Sequence, residues 1–128
     1  MFSRCYSWRI KRWYLNALEL AHKIAEALED KKGEDILLLD IKDIASFTDY
    51  FILCNGTSDR MLDALAKGVL EATKKDYKKK SRVEGQAQEG WLLLDYGDVI
   101  VHLFSPDMRE RYDLEELWSD GKVLLRVQ

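Results

Sequence analysis

The chain has 128 residues, 47% of them hydrophobic and 34% charged, which suits one domain burying about two-thirds of the surface of its unfolded chain. No apolar run approaches the ~18 residues of a membrane span, and one proline with no Ser/Gly-rich stretch argues against an internal linker. Charge is uneven: residues 1–13, "MFSRCYSWRIKRW", hold Arg4, Arg9, Lys11 and Arg12 and no acid, so residues 14–128 carry −7, a body ill suited to wrap nucleic acid indiscriminately.

The basic leader at 1–13 reads as an extension ahead of a domain at 14–128. The alternative is an organellar presequence, since the leader contains arginines and aromatics and no acid, although it is short and poor in serine. Cys5 and Cys54 form neither a CxxC pair nor a disulfide framework, which suits a reducing compartment. A cytoplasmic location follows, or an organelle if the leader directs import.

Ala17, Leu20, Ala21, Ile24 and Leu28 repeat at helical spacing and predict a helix over 16–31, with Asn16 as its cap and Gly33 as the left-handed residue after its end. "DILLLDI" (35–41) is a continuous apolar run and predicts a strand buried on both faces. "DYFILCN" (49–55) predicts a second strand. A helix over 58–78 then places Leu62, Leu65, Ala66, Val69 and Ala72 on one face. Gly68 lies inside this helix at a cost of ~1 kcal/mol, which implies close packing there. "WLLLDYGDVIVHLF" (91–104) reads as two strands around a tight turn, with Asp95 as its first residue and Gly97 at positive φ. Ser105, Pro106 and Asp107 open a helix over 105–118, and "KVLLRVQ" (122–128) is a last strand. The predicted order, α-β-β-α-β-β-α-β, implies a mixed sheet with helices packed on it, an α/β arrangement of the α+β mixed-sheet kind in a single domain.

Several residue groups are candidates for chemistry. Gly56-Thr57-Ser58 opens a helix N-terminus, where backbone N–H groups favour an anion. The turn lacks the Lys-Ser/Thr pair of a Walker loop and the spaced glycines of a dinucleotide site. It also lacks the neighbouring strand carboxylates that a nucleotidyltransferase needs to hold its metals. A helix cap with Asp59 in the first turn accounts for it. Asp95, Asp98 and His102 on the hairpin read as turn aspartates and a half-buried histidine rather than metal ligands. Cys54 and His102 have no local signature of a nucleophile and its base. The run "KKDYKKKSR", from Lys74 to Arg82, is a cationic helix end that is either solvated or a local contact for RNA phosphate. Trp91, Tyr96, Arg109, Tyr112 and Trp118 are of the types that anchor protein interfaces. Trp118 is assigned to the core and Tyr96, at a turn, to an interface.

"SFTDYFILCNGTS", "VEGQAQEGWLLLDYGDVIVHLF" and "RERYDLEELW" together closely resemble the ribosomal silencing factor family, also called the Iojap or YbeB family, over residues 17–118. The resemblance implies a translation regulator, not an enzyme. It would bind the large-subunit ribosomal protein numbered fourteen and block joining of the small subunit. It also implies a nucleotidyltransferase-like fold without the catalytic carboxylates. Trp91, Tyr96, Asp98, Arg109 and Tyr112 are the candidate partner-binding residues, with no catalytic residue, metal or cofactor. The family pattern "TGTSxRH" is here "NGTSDRM", with Asn55 and Met61 in place of Thr and His, so no role is carried over for that histidine. Further partner expectations are a minor contact with ribosomal RNA through residues 74–82, a homodimer of the free protein, and no membrane. The rival reading is a nucleotide binder or nucleotidyltransferase-like enzyme using Gly56 to Ser58 with Asp95 and Asp98.

Overall fold

A computed structural model describes residues 16–77 and 81–127. The leader at 1–13 and the lysines at 78–80 lie outside them. Helix α1 (Ala17–Asp30) begins as its sequence predicts, with the Asn16 side chain accepting from the Glu19 N–H at 2.8 Å. Its end differs from expectation. The left-handed residue is Lys32, at φ 64°, and not Gly33. Glycine is required at 33 for space: a Cβ there would stand 2.4 Å from Cys54 Sγ and 3.2 Å from the Leu28 carbonyl oxygen.

Strands β1 (Glu34–Asp40) and β2 (Tyr50–Asn55) follow. Next come helix α2 (Asp59–Tyr77), strand β3 (Arg82–Gln86), a short 3-10 turn (Ala87–Glu89), and strands β4 (Trp91–Asp95) and β5 (Val99–Phe104). Helices α3 (Pro106–Tyr112) and α4 (Leu114–Leu117) lead to strand β6 (Lys122–Val127). The six strands form one mixed sheet in the order β3-β4-β5-β2-β1-β6. Only β2 and β5 run parallel, because helix α2 and the β3–β4 hairpin return the chain between them. The result is the single mixed α+β domain that the element order implies.

Two expectations are corrected. Strand β3 escapes hydrophobic periodicity because it is an edge strand, exposed at every position. The helix predicted over 105–118 is two helices, broken at Asp113, which takes φ 46° while its N–H closes on the Arg109 carbonyl at 2.9 Å.

Period-two alternation gives the sheet two different faces. Tyr50, Ile52, Cys54, Val99, Val101 and Leu103 point to one, under α1 and α2, where Ile24, Leu28, Leu62, Leu65 and Val69 complete the main core. Each such side chain contributes about 2 kcal/mol by leaving water. Gly68 lies where the two helices meet, with the aliphatic stem of Lys31 2.8 Å from the position of a Cβ. Leu37, Leu39, Phe51, Leu53 and Phe104 point to the second face, covered by Met108, Leu114, Trp118 and Ala45. Because α3 and α4 are short, this face is only partly covered.

Candidate functional site

The Gly56-Thr57-Ser58 turn sits at the C-terminal ends of the parallel pair β2 and β5. The Gly56 N–H donates to the Phe104 carbonyl at 2.8 Å, and Ser58 caps α2 by accepting from the Met61 N–H at 3.1 Å. Thr57 lies against Met61 Sδ. Asp95 and Asp98 belong to the opposite end of the sheet. Register pairs Asn55 with Phe104 at one end and Tyr50 with Val99 at the other, so five residues of β5, about 17 Å at ~3.3 Å each, separate the turn from the aspartates. Asp95 Oδ1 accepts from the Gly97 N–H at 2.7 Å, and Gly97 takes φ 88°, so these residues build the hairpin turn. Among the described residues no three His, Cys, Asp or Glu side chains cluster as a metal site would require.

Cys54 and His102 project from opposite faces of the sheet, so they do not form a dyad. Burial pushes the Cys54 thiol up to about 12 and the His102 imidazole down to about 4. His102 is neutral and enclosed by rings: Phe51 meets it edge-on at 5.0 Å and Phe104 stacks on it at 5.7 Å. Its Nδ1 accepts from the Trp91 indole N–H at 3.4 Å.

The five residues expected to bind a partner do not share one surface. Trp91, at the start of β4, is half-buried on the second face, and its ring packs against Phe104 at 5.4 Å and Tyr112 at 4.9 Å. Tyr112 remains 48% exposed. These two rings line an open groove of about 480 Å³ with Leu93, Met108, Gly85, Glu84 and Glu89. Asp98 is exposed, but its turn lies at the far end of β4.

Tyr96, expected at an interface, has its side chain in the interior. It is 6% exposed on the first face, where its hydroxyl lies 2.8 Å from that of Thr73 on α2. Trp118, assigned to the core, is half-buried: it packs edge-on against Phe51 of the second-face core at 5.5 Å and against the exposed Phe47 at 5.8 Å.

Arg109 is likewise interior, at 6% exposure. It donates to Asp35 O at 2.6 Å, Asn55 Oδ1 at 2.9 Å and Glu115 Oε1 at 2.8 Å, joining α3 to β1, β2 and α4. Two backbone irregularities create this arrangement. Asp35 takes φ 50° where the β1–β2 register shifts, and Asp113 breaks the helix. In an unbroken helix residue 115 would stand about 240° around the axis from residue 109.

Leu93, Met108, Glu84 and Glu89 are groove residues that sequence reasoning did not single out. Two spacings pointed to some of them: Leu93 is two residues from Trp91 on a strand, and Met108 is four from Tyr112 on a helix. The glutamates gave no such signal: Glu84 lies on β3, which has no periodicity to read, and Glu89 ends the short 3-10 turn.

Comparison with known proteins agrees with the fold and adds a family. Residues 14–127 match the family model described as "Ribosomal silencing factor during starvation". The chain is 38% identical over 109 residues to "Ribosomal silencing factor RsfS" of Bacillus subtilis, covering 85% of this chain and 92% of that protein. It is 32% identical over 100 residues to "Mitochondrial assembly of ribosomal large subunit protein 1" of Mus musculus, covering 75% of this chain and 43% of the mouse protein. A crystal structure of a Chromobacterium violaceum protein superposes with a TM-score of 0.78 at 35% identity, covering 89% of this chain and 94% of that one.

Proposed function

The chain belongs to the ribosomal silencing factor family, and from that premise we propose that it binds the large ribosomal subunit and keeps the small subunit from joining. The contact is with the large-subunit protein numbered fourteen, on the face that meets the small subunit. The observation that carries this reading is the Trp91–Tyr112 pair: two rings 4.9 Å apart beside an open groove, on the less covered face of the sheet. Interfaces concentrate their energy in such aromatic anchors, set in pockets that lose water on docking. The name of the mouse relative, which refers to the large ribosomal subunit, supports that choice of partner.

The role is not enzymatic. A nucleotidyl-transfer site needs its glycine-serine turn and its carboxylates together, and here Ser58 and Asp98 lie at opposite ends of β2 and β5. Titration with nucleoside triphosphates and magnesium is expected to leave the melting curve unmoved. A nucleotide bound at a hundred times its dissociation constant would add ~2.7 kcal/mol of stability, and that result would favour the enzyme reading.

The function itself is tested by mixing purified large and small subunits with increasing amounts of the protein and resolving them on a sucrose gradient. The joined-ribosome peak is expected to fall while the protein migrates with free large subunits. Undiminished joining at saturating protein would refute the proposal.

A further inference from the structure

The groove beside Trp91 has a mixed chemistry. Trp91, Leu93, Met108 and Tyr112 line it with carbon, and Glu84 and Glu89 add two carboxylates to its lining. Both glutamates are exposed, and neither has an ion-pair or side-chain hydrogen-bond partner among the described residues. Arg82, the basic residue nearest them in sequence, pairs with Asp95 at 3.7 Å. Between them in sequence Gly85, also in the lining, takes φ 89°, and a Cβ there would stand 2.4 Å from the Trp91 carbonyl oxygen, so this position admits no side chain.

We propose that this groove receives an arginine side chain of the protein partner. Its guanidinium lies over the Trp91–Tyr112 rings and pairs with Glu84 and Glu89. The partner's identity rests on the function proposed above, but the chemistry of the occupant does not. An apolar plug would strip water from two carboxylates and return nothing to them, which is costly. A guanidinium answers both walls at once: it stacks on an aromatic face and presents a planar fork of donors to carboxylates. A lysine ammonium meets the charge but is compact and strongly hydrated, and it cannot stack. The −7 charge of residues 14–128 also draws a basic surface toward this chain before contact.

The test uses the full chain in two arms. In the first, isotope-labelled protein is titrated with N-acetyl-arginine methylamide and, separately, with its uncharged isostere N-acetyl-citrulline methylamide. Nuclear magnetic resonance then follows the Trp91 indole N–H and the backbone amides of Glu84 and Glu89. Saturable shifts are expected with the arginine probe, much smaller shifts with citrulline, and loss of the arginine response in a Glu84→Gln/Glu89→Gln variant of unchanged melting temperature. Equal responses to the two probes, or no response to either, would overturn the inference.

In the second arm the same variant is compared with wild type for binding to large subunits at several salt concentrations. At least a tenfold loss at low salt and a flatter salt dependence are expected. Equal binding by the two proteins would overturn the arginine inference and leave the proposed function standing. If wild type failed to bind subunits while the arginine probe still saturated the groove, the proposed function would fall and the groove chemistry would stand.

Discussion

The Tyr96 and Thr73 hydroxyls lie 2.8 Å apart in the interior, and this contact fastens the β4–β5 turn to helix α2. The Thr73 hydroxyl donates to the Val69 carbonyl at 3.0 Å, which leaves it free to accept from the phenol. Tyr96→Phe removes one buried hydrogen bond without opening a cavity. A loss of about 1 kcal/mol in denaturant unfolding is expected, with binding to large subunits unchanged. A binding defect in a variant this well folded would restore Tyr96 to the interface.

Arg109 holds the α3–α4 corner. Its guanidinium touches Asp35, Asn55 and Glu115, and Arg126 approaches Asp35 at 3.3 Å and Glu115 at 3.8 Å. Truncation leaves a backbone carbonyl and two carboxylates without their central donor. Arg109→Ala is expected to destabilise the fold by about 1–3 kcal/mol, because the Asp35 carbonyl and Asn55 Oδ1 lose their donor while the part-exposed carboxylates of Asp35 and Glu115 keep Arg126. A variant melting within about a degree of wild type would show that the corner holds without it.

His102 makes stability depend on pH. Its imidazole titrates near 4 in the folded protein, because burial penalises the cation, and near 6.5 when unfolded. Between those values the unfolded chain binds more protons, so stability is fully present above pH 6.5 and declines as pH falls toward 4. The gap corresponds to about 3 kcal/mol. His102→Phe, among rings that accept another ring, is expected to flatten the difference between unfolding free energies at pH 7 and pH 4.5. An identical slope in wild type and variant would contradict the assignment.

Gly33 and Cys54 form a steric pair. A methyl group at 33 would overlap the Cys54 sulfur and press on the Leu28 carbonyl, an overpacking worth about 1–3 kcal/mol. In a double-mutant cycle, Gly33→Ala is expected to cost less by at least about 1 kcal/mol in a Cys54→Ala background. Strict additivity would place the strain on the Leu28 carbonyl and the Leu65 side chain, each 3.2 Å from that methyl group, instead of on the sulfur.

Most of the frame was legible because its elements carry strong local signals. The stripe of Leu20, Ile24 and Leu28, the caps at Asn16 and Ser105, and the turn at Gly97 all appear where sequence placed them. Strand β3 was not legible, since Arg82–Gln86 packs no face against the core and is held by pairing with β4. The break at Asp113 was hidden for a different reason. Asp113 adopts a left-handed conformation in which Glu115 reaches Arg109, and Asp35, the third partner, lies 74 residues from that arginine. The candidate site was half legible. Residue type pointed to Trp91 and Tyr112, but type alone does not separate an arginine in a groove from one in a core, or a turn tyrosine facing out from one facing in.

The central claim is that the Trp91–Tyr112 groove is the ribosome-binding surface, and cosedimentation of Tyr112→Ala with free large subunits tests it most directly. Tyr112 is the right residue because it is half-exposed, so its truncation spares the core. An anchor of this type is worth ~2 kcal/mol or more, roughly a thirtyfold loss of affinity, and the melting curve is expected to stay close to wild type. Binding of Tyr112→Ala indistinguishable from wild type, or failure of the wild-type protein to travel with large subunits at all, would contradict it.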